Sequence, residues 1–424
     1  MEVYKYLKAL AARKSRSAVN YVRAFVKWLV ISCITGAIGG VVGSMFNLSI
    51  AYVTNFRSGN EWTIYFLPLS GLVIAALYYG TNMQGKGTND IIDSVHLGQK
   101  VPVMLVPVIF ISTVLTQLCG GSSGREGAAL QIGGSIGGEV GKFFRLDDKD
   151  IRIATLCGMS GVFSALFGTP LTATFFALEV ISVGILYYVG FVPCVASSLT
   201  AYEVSLMFGI APTRFTIGEF YSLSTLGLFR IALLSVACAL VSIVYCVVMH
   251  KTEKFAKKKM PNGFLRIAVG GTVILVLTLI LGTDMYNGLG IDSIHAAMAG
   301  TAAPQDFIWK IVFTAITLGC GFKGGEIVPT FFIGAVFGCV FGGLLGIPAG
   351  FGAAIGLIAM FCGAVNCPIA SLILSIELFG ASELSYFAVA CAVSYMLSGY
   401  YGIYSSQKIM YSKLKAEFIN INAK

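Results

Sequence analysis

Two glutamates that lie among glycines in otherwise apolar sequence are the residues most suited to chemistry. Glu126 lies in the run Gly124-Arg125-Glu126-Gly127, and Glu326 follows Gly324 and Gly325. Glycines permit an irregular backbone, and helix-forming sequence follows each group, so unpaired N–H groups and the positive end of a helix dipole point out of each break. Such helix starts bind anions without a full positive charge. We therefore expect these two segments to hold a small anion.

The elements that must position these helix starts are repeated along the chain. Pro170 is followed nine residues later by Glu179, and in the second half Pro368 is followed at the same distance by Glu377. The glutamates of the two breaks are 200 residues apart and the two prolines 198, so the register holds across both segments. A duplicated unit explains this, and broken helices at matching places in two halves indicate a binding site near the middle of the membrane. The alternative is chance similarity between glycine-rich apolar stretches.

Composition indicates an integral membrane protein. Of the 424 residues, 56% are hydrophobic and only 12% are charged, against roughly 25% charged in soluble domains. The 11 cysteines form no Cys-x-x-Cys pair and the three histidines have no metalloprotease spacing, so a disulfide scaffold, a zinc site and an intramembrane metalloprotease are excluded. The net charge of +9 needs no nucleic-acid partner, because basic clusters at the membrane surface account for much of it.

Basic clusters predict the topology. They occupy the first 27 residues, the segment 251–266 and the tail at 408–415, and by the positive-inside rule all three face the cytoplasm. We expect a multi-pass protein of the plasma membrane with both termini cytoplasmic. Its parts are a cytoplasmic amphipathic helix (1–27), two membrane repeats (28–215 and 216–404) and a short cytoplasmic tail without a regulatory domain (405–424).

Long apolar runs predict spans, whereas short ones bounded by Gly or Pro predict helices that stop inside the bilayer. The long runs are 28–55, 62–80, 102–119, 224–249 and 264–282, and the short ones are 131–141, 350–364 and 367–379.

Three segments resemble the signature sequences of the CLC family of chloride channels and transporters. They are Gly124-Arg125-Glu126-Gly127, Gly324-Gly325-Glu326-Ile327-Val328-Pro329 and Ile403-Tyr404-Ser405, in matching order and spacing over roughly residues 30–410. The resemblance implies an all-α integral membrane protein with an inverted repeat of tilted and broken transmembrane helices. It also implies a homodimer with one anion pathway per subunit, and no cofactor or metal.

The same resemblance implies roles for single residues. Glu126 matches the gating glutamate, whose carboxylate occupies the anion site when ionised and leaves it when protonated; the alternative is a pair with Arg125 at a helix start. Tyr404 would donate its hydroxyl to the anion, the alternative being a tyrosine of the interfacial belt. The expected anion-binding residues are Gly85, Lys86, Gly87, Gly124, Arg125, Gly127, Glu326, Ile327, Val328 and Tyr404.

Two of these residues depart from the family's chloride pattern. Lys86 stands where relatives have a serine, and it either attracts anions or points away while backbone N–H groups bind. Glu326 stands where chloride-handling relatives have an apolar residue. It is protonated, lies on a proton route, or pairs with Lys323 outside the pathway; the fluoride-exporting branch of the family has an acid at this place.

A third departure concerns proton transfer. Val180 stands where relatives that exchange chloride for protons have a second, cytoplasm-facing glutamate, and Glu179 lies one residue earlier. Because Glu179 recurs as Glu377 in the other half, we expect it to have a structural role in capping or pairing.

The function expected first is CLC-type anion transport gated by Glu126, by a channel or an anion/proton antiporter, with chloride the conventional substrate. Fluoride/proton antiport is the alternative, because Lys86 and Glu326 leave the chloride pattern. A cation-coupled transporter that uses intramembrane glutamates as ion ligands is a further hypothesis. An enzyme is not expected, since no nucleophile or metal constellation occurs.

Overall fold

The computed structural model describes residues 2–98, 101–218 and 221–424, with side chains from Val19 onward. Within these residues sixteen α-helices form the bulk of the fold. In the first half they are α1 Glu2–Ser58, α2 Leu67–Gly80, α3 Thr88–Leu97, α4 Leu105–Leu118, α5 Glu126–Phe143, α6 Asp148–Phe167, α7 Pro170–Glu179 and α8 Phe191–Met207. In the second half they are α9 Thr225–Lys259, α10 Gly263–Leu281, α11 Ile291–Met298, α12 Asp306–Gly319, α13 Ile327–Leu344, α14 Ala349–Val365, α15 Pro368–Phe379 and α16 Leu384–Leu397.

The two halves contain the same helices in the same order. Helices α4 and α12 have 14 residues each, and α5 and α13 have 18 each. Helices α7 and α15 each begin on a proline, which suits the first turn of a helix because proline has no N–H to leave unpaired. The repeat read from the spacing of the motifs therefore extends to the helices around them.

Seven helical segments of the described chain are long and apolar enough to cross a membrane, so the protein is a multi-pass membrane protein. They are Val19–Ser58, Glu61–Gly80, Asp148–Phe167, Tyr188–Met207, Thr225–Lys259, Gly263–Leu281 and Ile327–Leu344. The prediction that 102–119 is long enough to span is wrong. Helix α4 has only 14 residues, because it begins after Pro102 and ends just before Gly120 and Gly121.

Glycines allow the helices of each half to pack with their backbones in contact. A Cβ placed at Gly158 of α6 would lie 2.8 Å from the nitrogen of Gly137 in α5. In the second half a Cβ at Gly356 of α14 would lie 2.7 Å from the Cα of Gly338 in α13. Each broken helix is thus pressed against a neighbour, which fixes where its first turn points.

The N-terminal helix continues without a break past residue 27. Helix α1 runs from Glu2 to Ser58, and Lys27 forms an ion pair with Asp150 at the start of α6, with 2.5 Å between Nζ and Oδ2. The predicted amphipathic pattern of residues 1–27 depends mainly on side chains outside the described residues.

The C-terminal segment forms a small sheet, which the all-α expectation did not include. Strand β2 (Lys408–Tyr411) pairs in parallel with β1 (Ser182–Val183) and antiparallel with β3 (Phe418–Asn422). Lys413, in the turn between β2 and β3, donates to the carbonyl of Tyr395 at 2.8 Å and to the Ser398 hydroxyl at 3.1 Å. The tail is therefore fastened to the membrane helices.

We call the face that carries this sheet the tail side and the opposite face the far side. The hydroxyl of Ser406 in the tail donates to Asp93 of α3 at 2.8 Å, and the Cβ position of Gly98, just after α3, lies 3.3 Å from the guanidinium of Arg152 in α6. The start of α6 and Lys27 are thus on the tail side. Arg57 lies 30 residues further along α1, or about 45 Å at the rise of an α-helix, and so marks the far side.

Candidate anion site

The starts of the two broken helices meet. Gly124, just before α5, donates its N–H to the carbonyl of Gly325 at 2.6 Å, and Gly325, just before α13, donates to the carbonyl of Gly124 at 2.8 Å. The two residues form an isolated antiparallel bridge. The positive ends of both helix dipoles are therefore directed at one place from the two halves of the chain.

The carboxylate of Glu126 occupies the start of the opposite helix. Glu126 is fully buried, and its Oε2 accepts hydrogen bonds from the backbone N–H of Val328 at 3.2 Å and of Arg125 at 3.1 Å. Its Oε1 has no partner among the described residues. The carboxyl group of Glu126 thus accepts from one amide of the second half, that of Val328, and an anion that binds this amide would have to displace it.

Arg125 does not neutralise Glu126 through its side chain. Its guanidinium donates to the Asn47 side-chain oxygen at 2.5 Å and to the Leu166 carbonyl at 3.4 Å. Arg125 contributes only its backbone N–H to the carboxylate of Glu126. The alternative of a simple side-chain pair at the helix start is therefore not what the fold forms.

Glu326 is the last residue before α13, and its carboxyl group lies at the same meeting point. Its Oε2 is shielded from solvent and has no partner among the described residues. A Cβ on Gly127 would lie 3.2 Å from this oxygen, so the carboxyl group rests against the first turn of α5. Its backbone carbonyl accepts from the Tyr245 hydroxyl at 3.1 Å and from the Thr330 hydroxyl at 2.8 Å.

The proposed pair between Lys323 and Glu326 does not form within the part of the chain that the structure describes. The Lys323 ammonium lies instead over the ring of Tyr78, 4.3 Å from the ring centroid. Glu326 is thus a half-buried residue whose carboxyl group has no cationic partner in hydrogen-bonding contact among the described residues.

A cavity of about 180 Å³ reaches Glu326 from the tail side. Thr88, Gln131 and Tyr404 line it together with Glu326. Tyr404 is 2% exposed and its hydroxyl has no partner in the described structure. The burial separates Tyr404 from a belt tyrosine such as Tyr411, which is 44% exposed, and places a free hydroxyl donor on the cavity wall.

Lys86 points away from this cavity. Its ammonium lies 2.8 Å from Asp90 one turn along the chain, and the same carboxylate accepts from the N–H of Gly87 at 2.9 Å. Gly87 and Thr88 line the cavity through the start of α3. Among the expected anion-binding residues, Gly85 and Lys86 are therefore at its edge, and only the third residue of the motif reaches the wall.

Two residues that the sequence analysis did not single out complete the wall. The amide nitrogen of Gln131 donates to the Thr88 hydroxyl at 3.2 Å, and that hydroxyl is 3.3 Å from the Gly127 carbonyl. The side-chain oxygen of Gln131 has no partner among the described residues. In the sequence, Gln131 could have been recognised as a candidate because it is a polar residue in the apolar run that follows Glu126.

A second cavity, of about 640 Å³, approaches the same point from the far side. Arg57, Arg125 and Asp284 are among its lining residues. Arg125 directly precedes Glu126 in the chain. The two cavities share no lining residue, and Glu126 lines neither of them.

Glu179 and Glu377 lie away from this route and cap helices reciprocally. Glu179, at the end of α7, accepts from the N–H of Ala370 at 2.8 Å and of Ile369 at 3.2 Å. Glu377 of α15 accepts from the N–H of Thr172 at 2.8 Å and of Leu171 at 3.0 Å. Each carboxylate thus satisfies the first turn of the matching helix in the other half.

Comparison with known proteins now identifies the family. The sequence pattern of the voltage gated chloride channel family matches residues 70–399. The chain belongs to the CLC family. A protein of Pseudomonas syringae pv. tomato named "Chloride/fluoride channel protein" is 36% identical over 398 residues, which cover 91% of this chain and 87% of that protein.

Solved CLC structures share the fold. The crystal structure of a CLC-type fluoride/proton antiporter is similar with a TM-score of 0.86 and 30% identity, over 90% of this chain and 98% of that one. A slow cyanobacterial Cl⁻/H⁺ antiporter is similar with a TM-score of 0.76 and 18% identity, over 88% and 94% of the two chains. These likenesses confirm the helical inverted-repeat fold expected from the motifs, and they make the protein a transporter or channel of the CLC type.

Proposed function

We propose that this CLC protein is a fluoride/proton antiporter, in which Glu126 is the gate and Glu326 assists both the anion and the proton. The observation that carries the proposal is the pair of carboxyl groups at the helix starts. Each has an oxygen that is shielded from solvent and has no partner among the described residues: Oε1 of Glu126 and Oε2 of Glu326.

Two carboxyl groups beside an anion site favour fluoride for a chemical reason. An ionised carboxylate repels any halide in a medium of low dielectric constant, whereas a protonated one has an O–H to donate. Fluoride is the smallest and most strongly hydrogen-bonding halide, so it gains most from an O–H donor. Chloride gains less and also needs more space beside the wall formed by Gly127 and Glu326.

The position of Glu126 supports the coupling of protons to anions. The carboxylate of Glu126 accepts from the N–H of Val328, so a halide that binds this amide must compete with it. Protonation weakens the hold of the carboxyl group on the amide and favours its departure. Proton uptake on Glu126 and admission of the anion are thereby linked in one exchange.

The backbone N–H groups of Gly127, Ile327 and Val328 would bind the anion, and Tyr404 would donate its hydroxyl. Gly124 would act only by holding the helix starts together, because its N–H is used in the bridge to Gly325. The fluoride/proton antiporter of similar structure and the 36% identical relative whose name includes fluoride support this substrate. Chloride is the second candidate, because the name of the same relative includes it.

We further infer a homodimer in the plasma membrane, with each subunit formed by the repeats 28–215 and 216–404. The tail side is the cytoplasmic side in this proposal. His250 of α9 lies 3.4 Å from the Ile403 carbonyl in the tail, and the exposed lysines that follow it, from Lys251 to Lys259, lie at that end of the helix. Such a basic cluster is typical of a cytoplasmic surface.

Purified protein in liposomes tests the function. Vesicles loaded with sodium fluoride or sodium chloride are diluted into halide-free buffer, with an electrogenic sodium ionophore to carry the balancing charge. Anion efflux and proton uptake are followed with an electrode and a pH dye. We expect faster fluoride than chloride efflux, with protons moving against the fluoride. Faster chloride efflux would assign chloride, and fluoride efflux without proton movement would make the protein a channel.

A further inference from the structure

The far-side cavity is lined by a half-buried arginine, Arg57, which has two shielded nitrogen atoms without a partner among the described residues. Arg57 lies in the last turn of α1, and its Nε and Nη1 atoms are shielded from solvent without a partner among the described residues. Arg57 lines both the cavity of about 640 Å³ and an adjacent one of about 520 Å³. A guanidinium has five N–H donors and no acceptor, so this side chain calls for a ligand with acceptor character.

The backbone around Arg57 is shaped to admit the guanidinium. Gly288 has a φ of +57°, and a Cβ there would lie 2.6 Å from Nη2 of Arg57. Gly120 has a φ of +80°, and its Cβ position is 3.5 Å from Nη1. Side chains at both places would fill the space that the arginine occupies, and the left-handed backbone already favours glycine at both.

A second basic side chain, that of Lys310, contacts the same loop around Gly288. Lys310 of α12 is fully buried, and its ammonium donates to the carbonyl of Gly288 at 2.9 Å and of Tyr286 at 3.0 Å. These partners are neutral. Gly288 therefore lies between the side chains of Lys310 and Arg57, and neither of them forms an ion pair within the described parts of the chain.

Three acids lie near the cavity and do not take up the donors of Arg57. Asp284 and Asp292 are exposed, so water solvates their carboxylates. Asp306 is buried, but its oxygens accept from the Tyr286 hydroxyl at 2.8 Å and from the N–H of Ala303 at 3.2 Å. The cavity thus presents solvated acids at its surface and unsatisfied donors in its wall.

Arg57 lies on the face of α1 that leads toward Arg125 and Glu126. Ile50, Thr54 and Arg57 follow one another at helical spacing on the cavity face of α1, and Asn47 one turn before them holds the guanidinium of Arg125. The ten residues from Asn47 to Arg57 correspond to about 15 Å. One face of α1 therefore connects Arg57 to Arg125, which directly precedes Glu126.

We propose that Arg57, with Lys310 behind it, forms a second anion-binding site in the far-side cavity, separate from the site at the helix starts, and that it takes a small monovalent inorganic anion. The site receives the transported halide on the far side, or releases it there, before or after it passes Arg125. The proposal goes beyond the function proposed above and holds whether the halide is fluoride or chloride.

Liposome flux measured over a range of anion concentrations tests the site, with sodium fluoride and sodium chloride as probes. Arg57→Gln should raise the half-saturating anion concentration about tenfold, since a hydrogen bond to a charged group is worth about 1.5–3 kcal/mol. The flux at saturation should remain within about threefold, because the gate is intact. Arg57→Lys keeps the charge and should change the half-saturating concentration by less than about threefold.

Asp284→Asn gives the independent test, because its side chain is exposed and the protein should fold as before. Removing this negative charge should lower the half-saturating anion concentration for both halides. An increase would identify a cation site and overturn the proposal, and no change would show that the cavity holds no anion. An Arg57→Gln protein that folds and has an unchanged half-saturating anion concentration would also overturn the proposal. If Arg57→Gln fails to fold, the Asp284→Asn result decides alone. The effect on the half-saturating concentration should be equal for both halides. The outcome of this test is therefore independent of whether the protein transports fluoride or chloride.

Discussion

Gly124 and Gly325 exchange two backbone hydrogen bonds of 2.6 and 2.8 Å, although 201 residues separate them. This bridge joins the two repeats directly beside Glu126. It fixes the distance between the helix starts, and so the space left for the carboxylate of Glu126 and for an anion.

A side chain at Gly325 should disrupt transport. A Cβ there would lie 2.6 Å from the nitrogen of Glu126 and 2.7 Å from that of Gly127, so Gly325→Ala must separate the two helix starts. We expect anion flux in liposomes to fall at least about tenfold, since a displacement of about 1 Å at a functional site is worth factors of this size or more. Gly343→Ala near the end of α13, the helix that Gly325 precedes, is the control, because nothing lies within 4 Å of its Cβ position. Similar flux in both variants would contradict the role of the bridge.

Glu126→Gln should uncouple anion and proton movement. The amide cannot bind or release a proton in exchange with an anion, while the N–H groups of the helix starts remain. We expect anion flux to persist and proton movement to disappear when both are recorded on the same vesicles. Glu139→Gln in the same helix α5 is the control, because Glu139 pairs with Lys142 near the surface and its loss should leave the coupling unchanged. Complete loss of anion flux in Glu126→Gln would instead favour the cation-coupled hypothesis.

Glu179 and Glu377 should contribute stability and not coupling. Each accepts two backbone N–H groups at a helix start, so replacement by alanine leaves buried donors unpaired at a cost of about 1–3 kcal/mol. Thermal unfolding of the detergent-solubilised protein should show a lower midpoint for Glu179→Ala and for Glu377→Ala.

Glutamine at the same positions keeps one acceptor oxygen and should be less harmful than alanine. The proton-to-anion ratio of the glutamine variants should equal that of the unmodified protein. A change in this ratio in Glu179→Gln would place Glu179 on the proton route and overturn the structural role.

Lys86 should matter little to the anion. Its partner Asp90 is in the first turn of α3, which Lys86 precedes, and the pair is partly exposed, of a kind worth about 0.2–1 kcal/mol. Lys86→Ala should therefore shift the half-saturating anion concentration by less than about threefold in liposome flux. A tenfold increase would show that Lys86 contacts the ion during transport, in a conformation different from this one.

The sequence predicted the features that depend on local chemistry. Glycines before Glu126 and Glu326 predicted the broken helices, and the repeated spacing to Glu179 and Glu377 predicted their shared structural role. The sequence could not predict that each glutamate caps a helix of the other half, because spacing along the chain does not show which helix start a carboxylate contacts.

Other features were missed for identifiable reasons. The tail strand Phe418–Asn422 alternates apolar and polar residues, which is a signal for a strand, but the tail was read only through its charge. The pair of Lys86 with Asp90 has the spacing of neighbours on a helix and was equally readable. The burial of Arg57 beside Gly288 had no such signal, because it arises only when distant segments pack.

The reciprocal capping by Glu179 and Glu377 has a consequence for how the chain is made. The acceptor for the N–H of Leu171 lies 206 residues further along the chain. When the first half has been synthesised, the start of α7 therefore still lacks its capping carboxylate. Until synthesis reaches Glu377, water or another group must occupy that end. The first turn of α7 therefore acquires its final hydrogen bonds only after the second half has been synthesised.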